Sequence, residues 1–330
     1  MARWYSRGNQ IRRLVYVISV LLIIAVAIVF IYGLFSSGQE KIAAPLADVG
    51  KSSDSKKTQP KAEADLSELV QPTADDNPWV AELISEAKSY IEAKPARIID
   101  ARDKLNEALA QPMSEQQRKF VKAQLSELAD KWLFSRTIYP QDKLCGSYKV
   151  KPGELLSAIG RQFKVPHEIL MEINMISRPE TLQAGTTIKV INGPFHVRVY
   201  RSTFTMDLYL QNTFVRSFPV GLGKPGMETP TGLWAVKAGG KMIQPRWTDP
   251  ISGKTYESED PDYPLGSRWI GLEGLKGDAT GRTGFAIHGT KDPNGIGVAD
   301  SQGCIRLHNG NAILVYNLLV PVDSLVEVVE

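Results

Sequence analysis

The stretch from Leu14 to Phe35, LVYVISVLLIIAVAIVFIYGLF, carries no charged residue. A transmembrane helix needs ~20 apolar residues, so this run is long enough to span a bilayer. Arg3, Arg7, Arg12 and Arg13 precede it, and no acidic residue occurs before Glu40. The excess of cations keeps residues 1–13 on the cytoplasmic side and places residues 36–330 outside. The alternative is a cleaved signal peptide, whose apolar core is usually only ~7–15 residues and ends in a small-residue cleavage site. No such site closes this run cleanly, so a signal anchor over 14–35 is the expectation. The expected location is then the cytoplasmic membrane, single pass, with the rest of the chain extracytoplasmic, in the periplasm or cell wall.

Residues 36–77 turn to Ser, Lys, Asp, Gln, Ala and Pro, as in GKSSDSKKTQPKAEAD. This composition reads as a flexible linker, with a reach of roughly 35 Å as a coil and up to about 140 Å fully extended. Beyond it, Asn77-Pro78 is a helix-start pair, and Trp79, Leu83, Ala87, Tyr90 and Ile91 fall on one helical face. Lys94-Pro95 breaks that helix and opens another with Ile98, Ala101, Leu105, Ala108 and Leu109. Ser114 with Gln117 forms a capping-box pair ahead of Phe120, Leu125, Leu128 and Trp132. A small helical bundle over 78–135 is expected, either as a spacer or as a docking surface for a protein partner.

Residues 146–191 read as a strand at Tyr148 to Val150, a Pro-Gly turn, a helix through Leu156, Ile159 and Phe163, and a second helix through Ile169, Leu170 and Ile173. A turn at Ala184-Gly185 and a closing strand from Thr187 to Ile191 complete a βααβ unit. Tyr148, Val150, Gly153, Phe163, Val165, Leu170, Asn174, Leu182, Gly185 and Ile188 give this segment its likeness to a LysM module. That family binds glycans containing N-acetylglucosamine, such as peptidoglycan. The chain has Gly153-Glu-Leu-Leu156 where the family often has Gly-Asp-Ser/Thr-Leu, a departure that bears on glycan affinity more than on the fold.

From Phe195 the apolar period becomes two: Val197 and Val199 alternate with His196 and Arg198, and Met206, Leu208 and Leu210 with Asp207 and Tyr209. Turn residues recur at Gln211-Asn212, Gly223–Gly226, Pro230–Gly232, Gly239-Gly240 and Pro293–Gly295. A mostly β domain over 195–330 is implied, with one helix near Gly310 to Leu319 and a last strand from Leu325 to Val329. The whole chain is expected to be multidomain α+β.

The formal charge of +3, from 39 Lys+Arg against 36 Asp+Glu, gives no electrostatic footprint for nucleic acid. Two cysteines cannot make a disulfide framework, and with four histidines they give no evident four-ligand metal site. No metal or cofactor is expected. Cys145 has several fates open: a free thiol, an intermolecular bridge, or a bond to Cys304 that would silence it.

Chemistry concentrates in Phe285-Ala-Ile-His288-Gly289-Thr290 and Ser301-Gln-Gly303-Cys304-Ile-Arg306-Leu307. His288 ends an apolar strand-like run. Gly303 leaves room beside Cys304 and permits unusual dihedrals. A thiol beside an imidazole is an arrangement that lowers a cysteine pKa from ~8.5. Amides around Gly303 and Cys304 could cradle an oxyanion, so acyl transfer suits these parts. Taken singly, an inert cysteine and a satisfied core histidine remain open.

Together the two elements resemble those of the L,D-transpeptidase (YkuD-type) catalytic domain family. The likeness continues upstream through Phe218-Pro-Val-Gly221, Thr229-Pro-Thr-Gly232 and Pro264-Leu-Gly266. Many members have a second His where this chain has Gln302. The resemblance implies Cys304 as nucleophile, His288 as general base and acid, and the Gly289 carbonyl orienting the imidazole. Gly303 and Ser301 would shape the turn and oxyanion site, and Arg306 would bind a stem carboxylate or brace the site. It implies transfer of a peptidoglycan tetrapeptide stem to a second stem, with loss of D-Ala, giving a 3→3 crosslink. Partners would be stem peptides and glycan strands. Two alternatives stay open: an L,D-carboxypeptidase or crosslink hydrolase with water as acceptor, and a non-enzymatic tether of membrane to wall through LysM.

Overall fold

The computed structural model describes residues 76–330. The expected cytoplasmic segment, anchor and nearly all of the linker lie outside the described residues. Among the described residues no helix is long and apolar enough to cross a membrane.

Three helices open the described chain: α1 (Pro78–Glu92), α2 (Ile98–Leu109) and α3 (Glu115–Trp132). Asn77 Oδ1 caps α1 by accepting from the Trp79 amide at 3.0 Å. Ser114 and Gln117 form the capping box of α3, with Gln117 N donating to Ser114 Oγ at 3.1 Å. The Gln117 amide group also closes on the backbone of Asn77, accepting from its N–H and donating to its carbonyl, both at 3.0 Å, which ties the starts of α1 and α3 together. Val80, Leu83, Ala87, Leu105, Val121, Leu125, Leu128 and Trp132 are buried between the helices. Trp79, expected on the apolar face, is 49% exposed. It lies in the first turn, outside the stripe that Val80, Leu83 and Ala87 bury.

The next unit is β1 (Cys145–Lys149), α4 (Leu156–Gln162), α5 (His167–Asn174) and β2 (Thr187–Ile191), with β1 and β2 antiparallel and Tyr148 opposite Ile188. The first strand starts at Cys145, earlier than Tyr148, because its pairing extends as far as Cys145 opposite Ile191. Buried Asn174 fastens α5 to β2: its Oδ1 accepts from Lys189 N at 2.7 Å and its Nδ2 donates to Lys189 O at 2.8 Å.

The remainder is built on β3 (Phe195–Tyr200), β4 (Thr205–Leu210), β5 (Thr213–Pro219), β7 (Gly232–Met242), β10 (Trp269–Lys276), β11 (Ala286–His288), β13 (Ile305–Arg306) and β14 (Leu325–Val329). They form one mixed sheet in the order β13-β11-β10-β7-β14-β3-β4-β5. The short strands β6 (Leu222–Gly223) and β12 (Ala299–Ser301) pair separately, as do β8 (Trp247–Thr248) and β9 (Thr255–Tyr256). Helix α6 (Asn309–Leu318) buries Ala312, Val315 and Leu318.

The two sheet edges are treated differently. An open edge strand presents unpaired amides and carbonyls that invite association. At β5 the helices cover it: Phe214 N donates to Asn106 Oδ1 at 2.8 Å, and Lys122 Nζ lies 2.6 Å from buried Asp207 Oδ2. The opposite edge is β13, a strand of two residues, and the chemical groups gather there.

Candidate active site

Strands β11 and β13 run parallel, with Ile287 opposite Ile305 and His288 opposite Arg306. Cys304 directly precedes β13, and the parallel pairing brings it beside β11, the strand that ends at His288. The Cys304 Sγ lies 3.9 Å from the Gly284 carbonyl, and the Ala286 amide interacts with it as well.

His288 is 5% exposed, and its Nδ1 sits 2.6 Å from the Gly289 carbonyl. A carbonyl only accepts, so Nδ1 carries the proton and donates, leaving Nε2 of the neutral ring unprotonated, with the Leu265 backbone also beside the ring. The indole of Trp269 stacks on the imidazole, with centroids 5.7 Å apart and planes 17° from parallel. Burial pulls the His288 pKa down to about 4, outweighing the Gly289 carbonyl, which raises it. Burial likewise pushes the Cys304 thiol up to about 11, against the lowering effects of the Ala286 amide and the Arg306 charge. The expected depressed thiol pKa is therefore corrected. The resting pair is neutral thiol and neutral imidazole: loss of hydration outweighs the Arg306 charge and the Ala286 amide at the thiol, and at the imidazole it acts together with the Arg306 charge.

The turn before the nucleophile is tightly determined. Gly303 has φ +110°, and a Cβ there would lie 2.7 Å from Phe285 Cε1, so only glycine fits. Buried Ser301 sits within the turn, its Oγ donating to Cys304 O at 2.6 Å and accepting from Gly303 N at 3.1 Å. That second bond engages one of the two amides expected for an oxyanion. Arg306 is half-buried, its guanidinium 3.2 Å from Asp300, and its backbone exchanges both hydrogen bonds with Gly221. Gln302 is exposed and reaches Asp249, in the β8–β9 hairpin, at 3.4 Å. Both cysteines are free, and Cys145 is buried with its thiol pushed up to about 12, chiefly by desolvation.

Three supporting residues had been assigned no role from the sequence. Thr229 Oγ1 donates to Gly303 O at 2.9 Å and accepts from Gly223 N at 3.1 Å, bracing the nucleophile turn. Asn309 Oδ1 accepts from Ser267 N at 3.0 Å and Thr290 N at 3.3 Å, while its Nδ2 donates to Thr290 O at 2.9 Å, holding the loop after His288. Trp269 is the third. The Pro-flanked Thr229-Pro-Thr-Gly232 run marked the first of these; nothing local marked the others.

Residues 194–328 match the L,D-transpeptidase catalytic domain and residues 148–190 match the LysM domain. The Bacillus subtilis protein YkuD, named for an L,D-transpeptidase, is 29% identical over 177 residues, which is 51% of this chain and 89% of that one. YqjB of the same organism, similarly named, is 33% identical over 134 residues, 40% of this chain and 69% of that one. ErfK/SrfK of Escherichia coli, also named for this activity, is 29% identical over 200 residues, covering 57% of this chain and 56% of that one.

Proposed function

Because this chain belongs to the L,D-transpeptidase family, we propose that it crosslinks peptidoglycan stem peptides 3→3 through a Cys304 thioester, while anchored in the cytoplasmic membrane by residues 14–35. The observation that carries the reading is that Cys304 stands at the start of β13 with its Sγ against the backbone of Gly284 and Ala286, beside the strand that ends at His288, whose tautomer the Gly289 carbonyl fixes.

The chemistry starts from the neutral pair. Cys304 Sγ attacks the carbonyl of the amide joining the third stem residue to the terminal D-Ala, as His288 Nε2 takes the thiol proton. The C–N bond then breaks and Nε2 returns the proton to the departing D-Ala nitrogen, leaving the stem as a thioester. A side-chain amine of a second stem attacks that thioester, losing its proton to Nε2. Sγ leaves and is reprotonated, and the new amide is the crosslink. Burial suits this sequence: a desolvated base is not protonated at neutral pH, and a thiol that ionises only with its proton acceptor in place is protected from side reactions. Ser301 and Thr229 hold the turn, and the charge of Arg306 lies close to both reacting groups.

The LysM unit adds a second hold on the same polymer, raising the local concentration of stems without altering the site. The N-terminal cations and apolar run support a position of this machinery on the outer side of the membrane.

The purified full chain in detergent should convert a disaccharide tetrapeptide into 3→3 dimers with release of D-Ala, and Cys304→Ala should abolish both. Tripeptide without dimer would replace this reading with a hydrolase. Unchanged stems together with retention on bare peptidoglycan would replace it with a tether.

A further inference from the structure

A groove of about 710 Å³ runs between α3 and the covered edge of the sheet. Arg118, Lys119 and Lys122 stand on its helical wall, and Tyr200, Thr205 and Ser217 on its sheet wall. The sheet order puts β5 and β13 at opposite edges. At ~4.8 Å between strands, the groove is roughly 30 Å from Cys304, so it is not part of the reaction site.

Its charges are unevenly satisfied. Lys122 is neutralised by Asp207, whose carboxylate also accepts from Ser217 Oγ and Tyr209 OH, so this buried acid is fully used within the floor. Arg118 is half-buried and Lys119 exposed, and neither enters an ion pair or a side-chain hydrogen bond among the described residues. Glu115 is the one acid lining the groove. One wall thus offers two uncommitted cations; on the other, Ser217 Oγ donates to Asp207 and the Tyr200 ring lies under Lys122, while Thr203 and Thr205 share one hydrogen bond, so these hydroxyls retain acceptor capacity for a ligand's N–H groups. The helical wall from Glu115 to Ser126 is ~17 Å long at 1.5 Å per residue, and an extended tetrapeptide is ~13 Å.

We propose that this groove is a second, non-catalytic site for a carboxylate-bearing peptidoglycan stem. The cations take its carboxylates, while the threonine, serine and tyrosine wall faces its backbone. The identity of the ligand rests on the function proposed above; the anionic chemistry of the groove's ligand does not. Such a site would hold one stem of the mesh while a different stem reacts at Cys304.

The test places a reporter in the groove itself. In the full chain, Cys304→Ala with Ala123→Cys leaves one accessible thiol, since Cys145 is buried, and an environment-sensitive dye on it reads occupancy directly. Disaccharide tetrapeptide should give a saturable signal. Amidation of its carboxylates, or Arg118→Glu with Lys119→Glu, should weaken binding about tenfold, and high salt should weaken it too. The same charge reversals in the chain with native Cys304 should leave turnover of soluble disaccharide tetrapeptide within twofold. A dye that does not respond, or equal affinity for the amidated ligand, overturns the proposal. Failure of the function reading looks different: the dye titrates as expected, but the native chain makes no dimer.

Discussion

At the scale of single residues, the decisive property of the site is a charge state set by burial. Desolvation disfavours the thiolate and the imidazolium alike, so the Cys304 pKa rises to about 11 and that of His288 falls to about 4. Between those values the resting enzyme holds one proton on sulfur and one on Nδ1. The rate of Cys304 alkylation by iodoacetamide should therefore climb through pH 8 and 9 with no plateau near neutrality. A plateau with a midpoint below pH 8 would establish a preformed thiolate and imidazolium instead. His288 and Cys304 were legible in the sequence because their neighbours are distinctive: a glycine that must adopt φ +110° and a strand that must end at the histidine. The charge state was not, because it depends on how thoroughly distant strands exclude water. Asn309 and Trp269 were hidden for the same reason. Their roles consist of contacts to Thr290, Ser267 and His288 that only the closed sheet creates.

Among the elements, those whose ends are fixed by local chemistry could be read closely. The capping box at Ser114 and Gln117, the Asn77-Pro78 start of α1 and the Gly185 turn before β2 act within a few residues of chain. Strands of two or three residues such as β6, β8, β9 and β12 have no period to read, and their partners are remote. Order across the sheet was also invisible, since it reflects which strands bury their faces together rather than their neighbours in sequence. The cap at α3 makes a measurable claim about local chemistry. Ser114 Oγ accepts from the Gln117 amide and donates to Asp76, and Gln117 also holds Asn77, so the cap joins two helix starts. Ser114→Ala should cost about 1 kcal/mol, within the range for lost N-caps. In a unit of this size that is ~2–4 °C in the melting temperature. Calorimetry should show it, and Ser114→Thr, which retains both the acceptor for Gln117 and the donor to Asp76, should recover most of the loss.

Over the whole of residues 76–330, the helices, the βααβ unit and the sheet share buried contacts rather than standing apart. Apolar sequence patterns marked each unit but gave no sign of this, because the joining residues are charged ones that ordinarily face solvent. Arg102 of α2, its side chain 4% exposed, donates to Asp142 Oδ1 at 2.9 Å, and its guanidinium lies 4.4 Å above the Trp132 ring of α3. Beside them Lys189 of β2 is buried and donates to the Trp132 carbonyl at 2.5 Å and the Ser135 carbonyl at 2.8 Å, which bolts β2 to the end of α3. Burial lowers the Lys189 pKa, and the same enclosure keeps the Cys145 thiol protonated. Breaking one member of a buried ion pair strands the other, a loss of roughly 3–5 kcal/mol, whereas replacing both with apolar groups of similar size can be nearly neutral. Arg102→Met should therefore lower the denaturant midpoint sharply and make Cys145 reactive toward a thiol reagent under otherwise native conditions. Arg102→Met with Asp142→Leu should restore much of the midpoint and return Cys145 to protection. If the junction joins helices and LysM-like unit into one cooperative body, tryptophan fluorescence and Cys145 labelling will shift together in each variant. Labelling that increases while the fluorescence midpoint stays fixed would mean that the junction opens locally and the units unfold separately.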